Sequence, residues 1–113
     1  MKMLDFNALQ HPTFPVKLKD ENQTIVHIST PTVELVDRLV AVASELQDIA
    51  QAKDARIIHA LYGLIADLMN CNDDGLTFTG EELRGKYNLS LLDLFCFVSA
   101  YMDFVGEIQN AKN

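Results

Sequence analysis

The stretch from Leu91 to Val105 is the part of this sequence that most limits its possible folds. At about 100° per residue, a helix over this stretch gathers its polar and small residues into about a third of its circumference. Leucine, phenylalanine, valine, tyrosine and methionine side chains occupy the rest. An ordinary surface helix has a narrower apolar stripe, so this helix needs cover on several sides. It therefore either runs through the centre of the fold or keeps part of its surface for another chain.

The length and charge of the chain restrict its organisation and its partners. At 113 residues it is long enough for one domain with its own core. Sixteen acidic and nine basic residues give a formal net charge of −7, which argues against nucleic acid and anionic membrane surfaces as partners. No apolar run is long enough to span a bilayer, and the N-terminus lacks the apolar stretch of a signal peptide. We therefore expect a cytoplasmic protein.

The residues that most often carry catalysis are scattered. His11, His27 and His59 lie in three different predicted elements, without the spacing of metal ligands. Cys71 and Cys96 are too far apart for a zinc motif, and in a reducing cytoplasm we expect free thiols, with Cys96 half-buried on the last helix. The sequence has no glycine-rich phosphate loop and no nucleophile elbow. We therefore predict no enzymatic activity, no catalytic residues and no cofactor.

The N-terminal part of the chain predicts an irregular arm over residues 1–13 and a β-hairpin over residues 14–29. In an extended chain, Phe14, Val16 and Leu18 lie on one side, and Lys17 and Lys19 lie on the other. This alternation is typical of a half-buried strand. A polar turn and a β-branched run complete the hairpin. Because an isolated hairpin is marginal in water, we expect its apolar side to pack on helices or to join another chain.

Residues 31–108 predict the helical part, with three main helices and one short helix. Thr30 and Pro31 predict the start of the first helix, with the threonine as N-cap. The first two helices are amphipathic, and residues 52–54 form either the predicted connection between them or a bend in one longer helix. A frayed tail over residues 109–113 completes a single domain. The predicted fold class is α+β, mostly α, with an N-terminal hairpin followed by helices.

Local signals mark the starts of the last two helices. Thr79 and Glu82 have capping-box spacing and predict the short helix. Ser90 or Asn88 is the predicted N-cap of the final helix. In the middle of the second helix, Gly63 costs about 1 kcal/mol relative to alanine, which indicates close packing against a neighbour.

The stretch from Asn70 to Glu81 has part of the pattern of an EF-hand calcium loop. Such a loop has oxygen ligands at positions 1, 3, 5 and 12 and a glycine at position 6. In this sequence those positions hold Asn70, Asn72, Asp74, Glu81 and Gly75. An amide replaces the usual first carboxylate, and only two carboxylates remain, so such a site would hold calcium weakly. A polar turn followed by a capped helix accounts for the same residues, and a calcium-binding regulatory module is kept as an alternative.

Partner binding through apolar side chains is the other functional class that the sequence indicates. Methionine and aromatic side chains form adaptable surfaces for apolar segments. Core packing accounts for most of these residues, and a subset facing outward is enough for binding. The candidate partner-binding residues are Phe14, Val16, Leu18, Phe95, Phe97, Tyr101, Met102 and Phe104.

The order of arm, hairpin, proline-started helix, helix and aromatic last helix resembles the tail-assembly chaperones of long-tailed, siphophage-type bacteriophages and prophages. The resemblance depends on the segment Phe14–Asp20 and on the helix start Thr30–Thr32 with Leu35 and Leu39 after it. It also depends on Asn88–Ser90, which leads into a helix containing Phe95, Tyr101, Phe104 and Val105. It covers nearly the whole chain in layout.

This resemblance implies a function and a set of partners. Such a protein binds and solubilises the tape-measure protein, helps to recruit tail-tube subunits, and is absent from the finished virion. The resemblance also implies self-association in the host cytoplasm and, often, a longer form made by frameshifting. The acidic charge and the apolar excess are compatible with it, because exposed apolar patches mark interaction sites. A structural or connector protein of the same phage is the remaining alternative.

Overall fold

The computed structural model describes residues 3–6, 12–46 and 55–110. Its elements, in chain order, are β1 (Phe14–Lys17), β2 (Ile25–Ile28), α1 (Val33–Leu46), α2 (Ala55–Met69), α3 (Gly80–Arg84) and α4 (Leu91–Asn110). The predicted α+β class, mostly helical with an N-terminal hairpin, is confirmed. The predicted connection between the first two helices, most of the predicted arm and the end of the predicted tail lie outside the described residues.

The hairpin forms as its alternating pattern predicts. β1 and β2 pair antiparallel, with Phe14 opposite Ile28 and Val16 opposite Val26. Val26 and Ile28 are fully buried, and Phe14 and Val16 are half-buried. Because side chains alternate between the faces of a strand, these four residues form one apolar face that packs against the helices.

The loop after α2 covers the second edge of β2. Ile28 forms an isolated antiparallel bridge with Asn72. Next to it, the backbone N–H of Ser29 donates to the carbonyl of Cys71 at 2.6 Å. β2 therefore has a neighbour on each side, whereas β1 is an edge strand within the described part of the chain.

The central helix of the fold is α2, not α4. Seven α2 residues are buried, and α2 contacts α1, α3, α4 and β2. Among the described residues of α4, only Leu94, Tyr101 and Phe104 are buried. The first sequence interpretation, in which the last helix runs through the centre, is therefore wrong. The elements that would have enclosed α4 pack on α2 instead, and α4 is covered mainly along one side.

α1 begins two residues later than the sequence predicts. Its N-cap is Thr32, whose hydroxyl accepts the backbone N–H of Leu35 at 3.3 Å and whose carbonyl accepts that of Val36 at 3.0 Å. Thr30 and Pro31 therefore precede the helix. Either threonine has the hydroxyl that a cap needs, and the structure uses the second one.

The other two helix starts follow their local signals. The Thr79 hydroxyl accepts the N–H of Glu82 at 3.1 Å, which confirms Thr79 as the N-cap of α3. Of the two candidate caps of α4, Ser90 is the one used. Its hydroxyl accepts the Asp93 N–H at 3.2 Å, and its own N–H donates to the Asp93 carboxylate at 2.7 Å. α4 continues to Asn110, which is two residues into the predicted tail.

The close packing predicted at Gly63 depends on a second glycine. A Cβ atom added to Gly80 would lie 3.2 Å from the Gly63 nitrogen and 3.3 Å from the Tyr62 Cβ. A Cβ atom added to Gly63 would meet no atom within 4 Å among the described residues. The missing side chain of Gly80 therefore lets the start of α3 approach the backbone of α2.

Candidate partner-binding surfaces

A cluster of aromatic rings fixes the hairpin to α4. The Phe14 ring lies 5.7 Å from the Tyr101 ring and 5.5 Å from the Phe104 ring, centroid to centroid. Phe97 stacks on Tyr101 at 5.5 Å. Three of the candidate partner-binding residues, Leu18, Tyr101 and Phe104, are buried in this chain. In the folded protein these three side chains are part of the core and not of a contact surface.

The other candidate residues lie on two different sides of α4. Phe14, Val16 and Phe97 are half-buried where β1 approaches α4. Phe95 is half-buried and Met102 is 40% exposed on another flank of the helix. The structure therefore places the remaining candidate residues on two separate surfaces.

The first surface is a row of apolar side chains along α4. Successive members are separated by four, three, four and three residues. The members are Leu91, Phe95, Val98, Met102 and Val105. A repeat of 3.5 residues keeps a row on one flank of a helix, and it is the spacing at which helices pair along a seam. Met102 is 40% exposed, and the other four are half-buried, each packed in part against the core of this chain. We call this row the α4 seam.

The sequence analysis missed three members of the α4 seam, Leu91, Val98 and Val105. It counted them as part of the apolar majority of the helix. The core-facing side chains Leu94, Phe97, Tyr101 and Phe104 repeat at the same steps of three and four residues, so spacing alone does not separate the two rows.

A second apolar row lies along α1. Val33, Val36, Val40 and Ala43 are separated by three, four and three residues. Val33 is 79% exposed and Val40 is 52% exposed. In the described part of α1 only Leu39 is fully buried. Among the described residues α1 therefore has a partly exposed apolar row, which we call the α1 row.

The second surface on α4 is a cleft of about 300 Å³ between β1 and this helix. One wall is the continuous segment of residues 14–19, and the α2 residues Ile65 and Met69 contribute apolar side chains. Asp93, Cys96 and Phe97 line the cleft from α4, together with Leu89 just before the helix. The hairpin, the central helix and the last helix all contribute to this cleft, which we call the β1–α4 cleft.

The charged groups of the β1–α4 cleft connect its two walls. The Lys19 ammonium group lies 2.5 Å from an Asp93 carboxylate oxygen. The hydrogen bond from Lys19 and those from the Ser90 N–H and hydroxyl hold the pKa of Asp93 at about 2. Asp93 is therefore ionised at neutral pH, and the cleft has an apolar interior with a charged rim.

The residues of the predicted calcium loop form a hydrogen-bonded turn. The Asn70 amide pairs with the backbone of Phe78, accepting its N–H at 2.6 Å and donating to its carbonyl at 3.0 Å. The Asn72 amide oxygen accepts two backbone N–H groups at 2.9 and 3.1 Å. Both amide oxygens therefore act as acceptors for the backbone of their own loop.

The charged members of that loop also have local roles. The Asp74 carboxylate accepts the backbone N–H of His27 at 2.7 Å, and this bond lowers the pKa of Asp74. Glu81 lies in the first turn of α3. Among the described residues, no group of three or more histidine, cysteine or acidic side chains is placed to hold a metal. The loop serves to cover the second edge of β2.

The remaining residues considered for chemistry are dispersed. His59 is exposed on α2, and His11 lies outside the described residues. Cys71 is half-buried and Cys96 is exposed, and both are free thiols. The prediction that Cys96 is half-buried is wrong, because its position on α4 points away from the buried side of the helix.

Comparisons with protein-family models, curated proteins and solved structures find no match for this chain. Within the described ranges, no helix has the length and apolar character needed to cross a bilayer. A proposal about function therefore depends on the α4 seam, the α1 row and the β1–α4 cleft.

Proposed function

We propose that this protein is a tail-assembly chaperone of a long-tailed bacteriophage or prophage, which binds and solubilises the tape-measure protein. The observation that supports this proposal is the α4 seam. A row with this spacing fits an amphipathic partner helix whose own apolar residues repeat every 3.5 residues. The tape-measure protein is long and helical, so it offers many such segments.

The proposed mechanism is stoichiometric shielding. Each square ångström of apolar surface removed from water contributes about 25 cal/mol, so pairing the α4 seam with a partner helix favours the complex. The same contact covers apolar faces through which unassembled tape-measure chains would aggregate. The net charge of −7 keeps the complexes apart by repulsion.

The proposal includes further contacts and a place of action. The chaperone recruits tail-tube subunits, associates with itself, acts in the host-cell cytoplasm and leaves before the virion is complete. The α1 row supports this part of the proposal, because contacts with two partners at once need a second apolar surface. Its valines at positions 33 and 40 are the most exposed side chains of that row.

Co-expression with helical fragments of the tape-measure protein encoded nearby in the same genome tests the proposal. We expect a larger soluble fraction of each fragment in the presence of this protein, and co-elution of the two chains in size-exclusion chromatography. If the fragments are equally insoluble with and without it, the chaperone function is wrong.

A matched pair of substitutions tests whether the α4 seam makes the contact. Met102 belongs to the seam and is 40% exposed, whereas Leu92 lies off the seam on the same helix and is 69% exposed. Met102→Glu places a charge in the seam and should weaken fragment binding by about tenfold or more. Leu92→Glu adds the same charge and should leave binding unchanged. Equal effects would place the contact elsewhere, and circular dichroism checks that both variants fold.

A further inference from the structure

The backbone of β1 has hydrogen-bonding groups that face away from β2. The Leu18 N–H donates to the Thr24 carbonyl at 2.9 Å, and this pair continues the register in which Val16 opposes Val26. In an antiparallel ladder, every second residue exchanges hydrogen bonds with the partner strand, and the residues between them point their backbone groups outward. The backbone groups of Pro15 and Lys17 therefore face the outer edge of the hairpin.

This outer edge forms a wall of the β1–α4 cleft. All residues from 14 to 19 line the cleft, including neighbours whose side chains lie on opposite faces of the strand. A cleft that runs along one face of a strand would be lined by alternate residues only. The cleft therefore presents the strand edge itself, with apolar side chains of α2 and α4 beside it.

The β1–α4 cleft favours an extended segment over a helix as its ligand. An α-helix with its side chains is about 10–12 Å across, and its backbone groups are already paired, so it cannot bond to a strand edge. The cleft has a volume of about 300 Å³, and a strand added at its edge would direct alternate side chains toward it. Strand addition of this kind combines backbone hydrogen bonds with pockets for alternate side chains.

The chain itself contains a segment with the required pattern. Met3 is 90% exposed, Leu4 is 65% exposed and Phe6 is 71% exposed. Phe6 has a 3₁₀ conformation in this structure, so strand addition requires the segment to extend. Once it is extended, Leu4 and Phe6 project to the same side, and Asp5 projects to the other. Because all three apolar side chains are exposed in the described chain, its own cleft does not hold this segment.

We propose that the segment Met3–Phe6 of one copy adds as a strand to β1 of a second copy, with Leu4 and Phe6 in the β1–α4 cleft. The outward N–H and carbonyl of Lys17 bond to the added backbone, whereas Pro15 supplies a carbonyl only. Asp5 falls on the solvent face, where it meets the positive side chain of Lys17 across the strands. The contact closes the edge of β1 that has no neighbouring strand among the described residues.

This interface is separate from the proposed contact with a tape-measure helix. At about 100° per residue, the cleft-lining residues of α4, centred near Cys96, lie on the opposite flank from the α4 seam, centred near Val98. The inference concerns two copies of this chain alone, so its test needs no tape-measure protein. The inference specifies the self-association that the proposed function includes, and its failure would leave the proposed contact with a tape-measure helix unaffected.

Disulfide trapping tests the arrangement directly, because Cys96 already lines the cleft and is exposed. In a Cys71→Ser background, we expect Leu4→Cys to give a disulfide-linked dimer on oxidation, and Cys96→Ser to abolish it. Asn22→Cys, at an exposed position in the hairpin turn, is the matched control and should give far less dimer through Cys96. Equal dimer yields from the two positions, or a Leu4–Cys96 disulfide within one chain, would overturn the proposal.

Two solution measurements on the natural chain complete the test. Sedimentation velocity should show self-association that a Leu4→Ser, Phe6→Ser double variant weakens by about tenfold or more, while circular dichroism shows unchanged folding. Hydrogen exchange at the Lys17 amide should slow as the concentration of the natural chain rises, and not in the double variant. Association that is unaffected by the double variant, or a Lys17 amide that exchanges at the same rate at all concentrations, contradicts strand addition.

Discussion

The ammonium group of Lys19, at the start of the hairpin turn, lies 2.5 Å from a carboxylate oxygen of Asp93 in the first turn of α4. The Ser90 N–H donates to the same oxygen at 2.7 Å. The partners are 74 residues apart in the chain, so this contact fixes the position of the hairpin relative to the last helix. It also joins the two walls of the β1–α4 cleft.

This ion pair predicts a dependence of stability on acid pH. The pKa of Asp93 falls from 3.8 to about 2 on folding, chiefly because of the hydrogen bond from Lys19. A carboxylate with a depressed folded-state pKa stabilises the fold above its unfolded pKa, and the effect is lost as pH falls through its folded pKa. Between pH 4 and pH 2, we expect the free energy of unfolding to fall more steeply for the natural chain than for Asp93→Asn. Urea unfolding at several pH values measures this difference, and parallel curves would contradict it.

Two buried tyrosines should respond in opposite ways to loss of the hydroxyl. The Tyr101 hydroxyl is buried and has no hydrogen-bond partner among the described residues, and burial raises the pKa of its phenol. The Tyr62 hydroxyl donates to the Leu89 carbonyl at 2.6 Å. An unsatisfied buried polar group costs about 1–3 kcal/mol, whereas a formed hydrogen bond contributes about 1 kcal/mol.

Tyr101→Phe should therefore raise the free energy of unfolding by about 1 kcal/mol, and Tyr62→Phe should lower it by about 1 kcal/mol. Both substitutions remove one oxygen atom and leave the ring, so each serves as the control for the other. Urea unfolding monitored by circular dichroism measures both changes. Destabilisation of the same size in both variants would show that the Tyr101 hydroxyl has a partner in solution.

Two glycines at the contact between α2 and α3 also form a matched pair. Gly63→Ala adds a methyl group where the structure has room, and it should stabilise α2 by about 0.5–1 kcal/mol. Gly80→Ala places a methyl group 3.2–3.3 Å from backbone and Cβ atoms of α2. These atoms cannot move aside as a flexible side chain can, so we expect destabilisation on the order of 1 kcal/mol. Thermal unfolding of the two variants checks the signs, and a stabilising Gly80→Ala would show that α3 shifts without cost.

The features that the sequence predicts correctly depend on neighbours in the chain. The N-cap of α3 joins Thr79 and Glu82 over three residues, and the alternation of Phe14 and Val16 fixes which face of the hairpin is buried. Such signals require no knowledge of the rest of the fold. For the same reason they leave open which of two equivalent threonines caps α1.

The features that the sequence does not predict depend on contacts between distant segments. The stretches that form α2 and α4 are both apolar enough for a central helix, and the choice follows from the packing of α1, α3 and the hairpin on α2. Phe14 packs on Tyr101 and Phe104, so those rings are core instead of contact surface. These contacts between distant segments determine which flank of α4 forms the α4 seam.

The turn after α2 gives the last prediction, because asparagine amides can act either as metal ligands or as substitutes for backbone hydrogen-bonding groups. The Asn72 side chain makes four hydrogen bonds, including donations to the Met69 and Leu76 carbonyls at 2.7 and 2.8 Å. Asn72→Ala leaves these half-buried backbone groups without partners, which should cost about 1–3 kcal/mol. Asn22→Ala, in the exposed hairpin turn, is the control and should change stability by less than about 0.5 kcal/mol.

The same variant should loosen the second edge of β2, because the backbone bond from Ser29 to Cys71 depends on this turn. We therefore expect the Ser29 amide to exchange faster in Asn72→Ala than in Asn22→Ala. Hydrogen exchange measured by NMR follows this single amide, and urea unfolding follows the whole domain. A lower global stability with an unchanged Ser29 exchange rate would contradict this role of Asn72, since the turn would then contribute to stability without holding the strand edge.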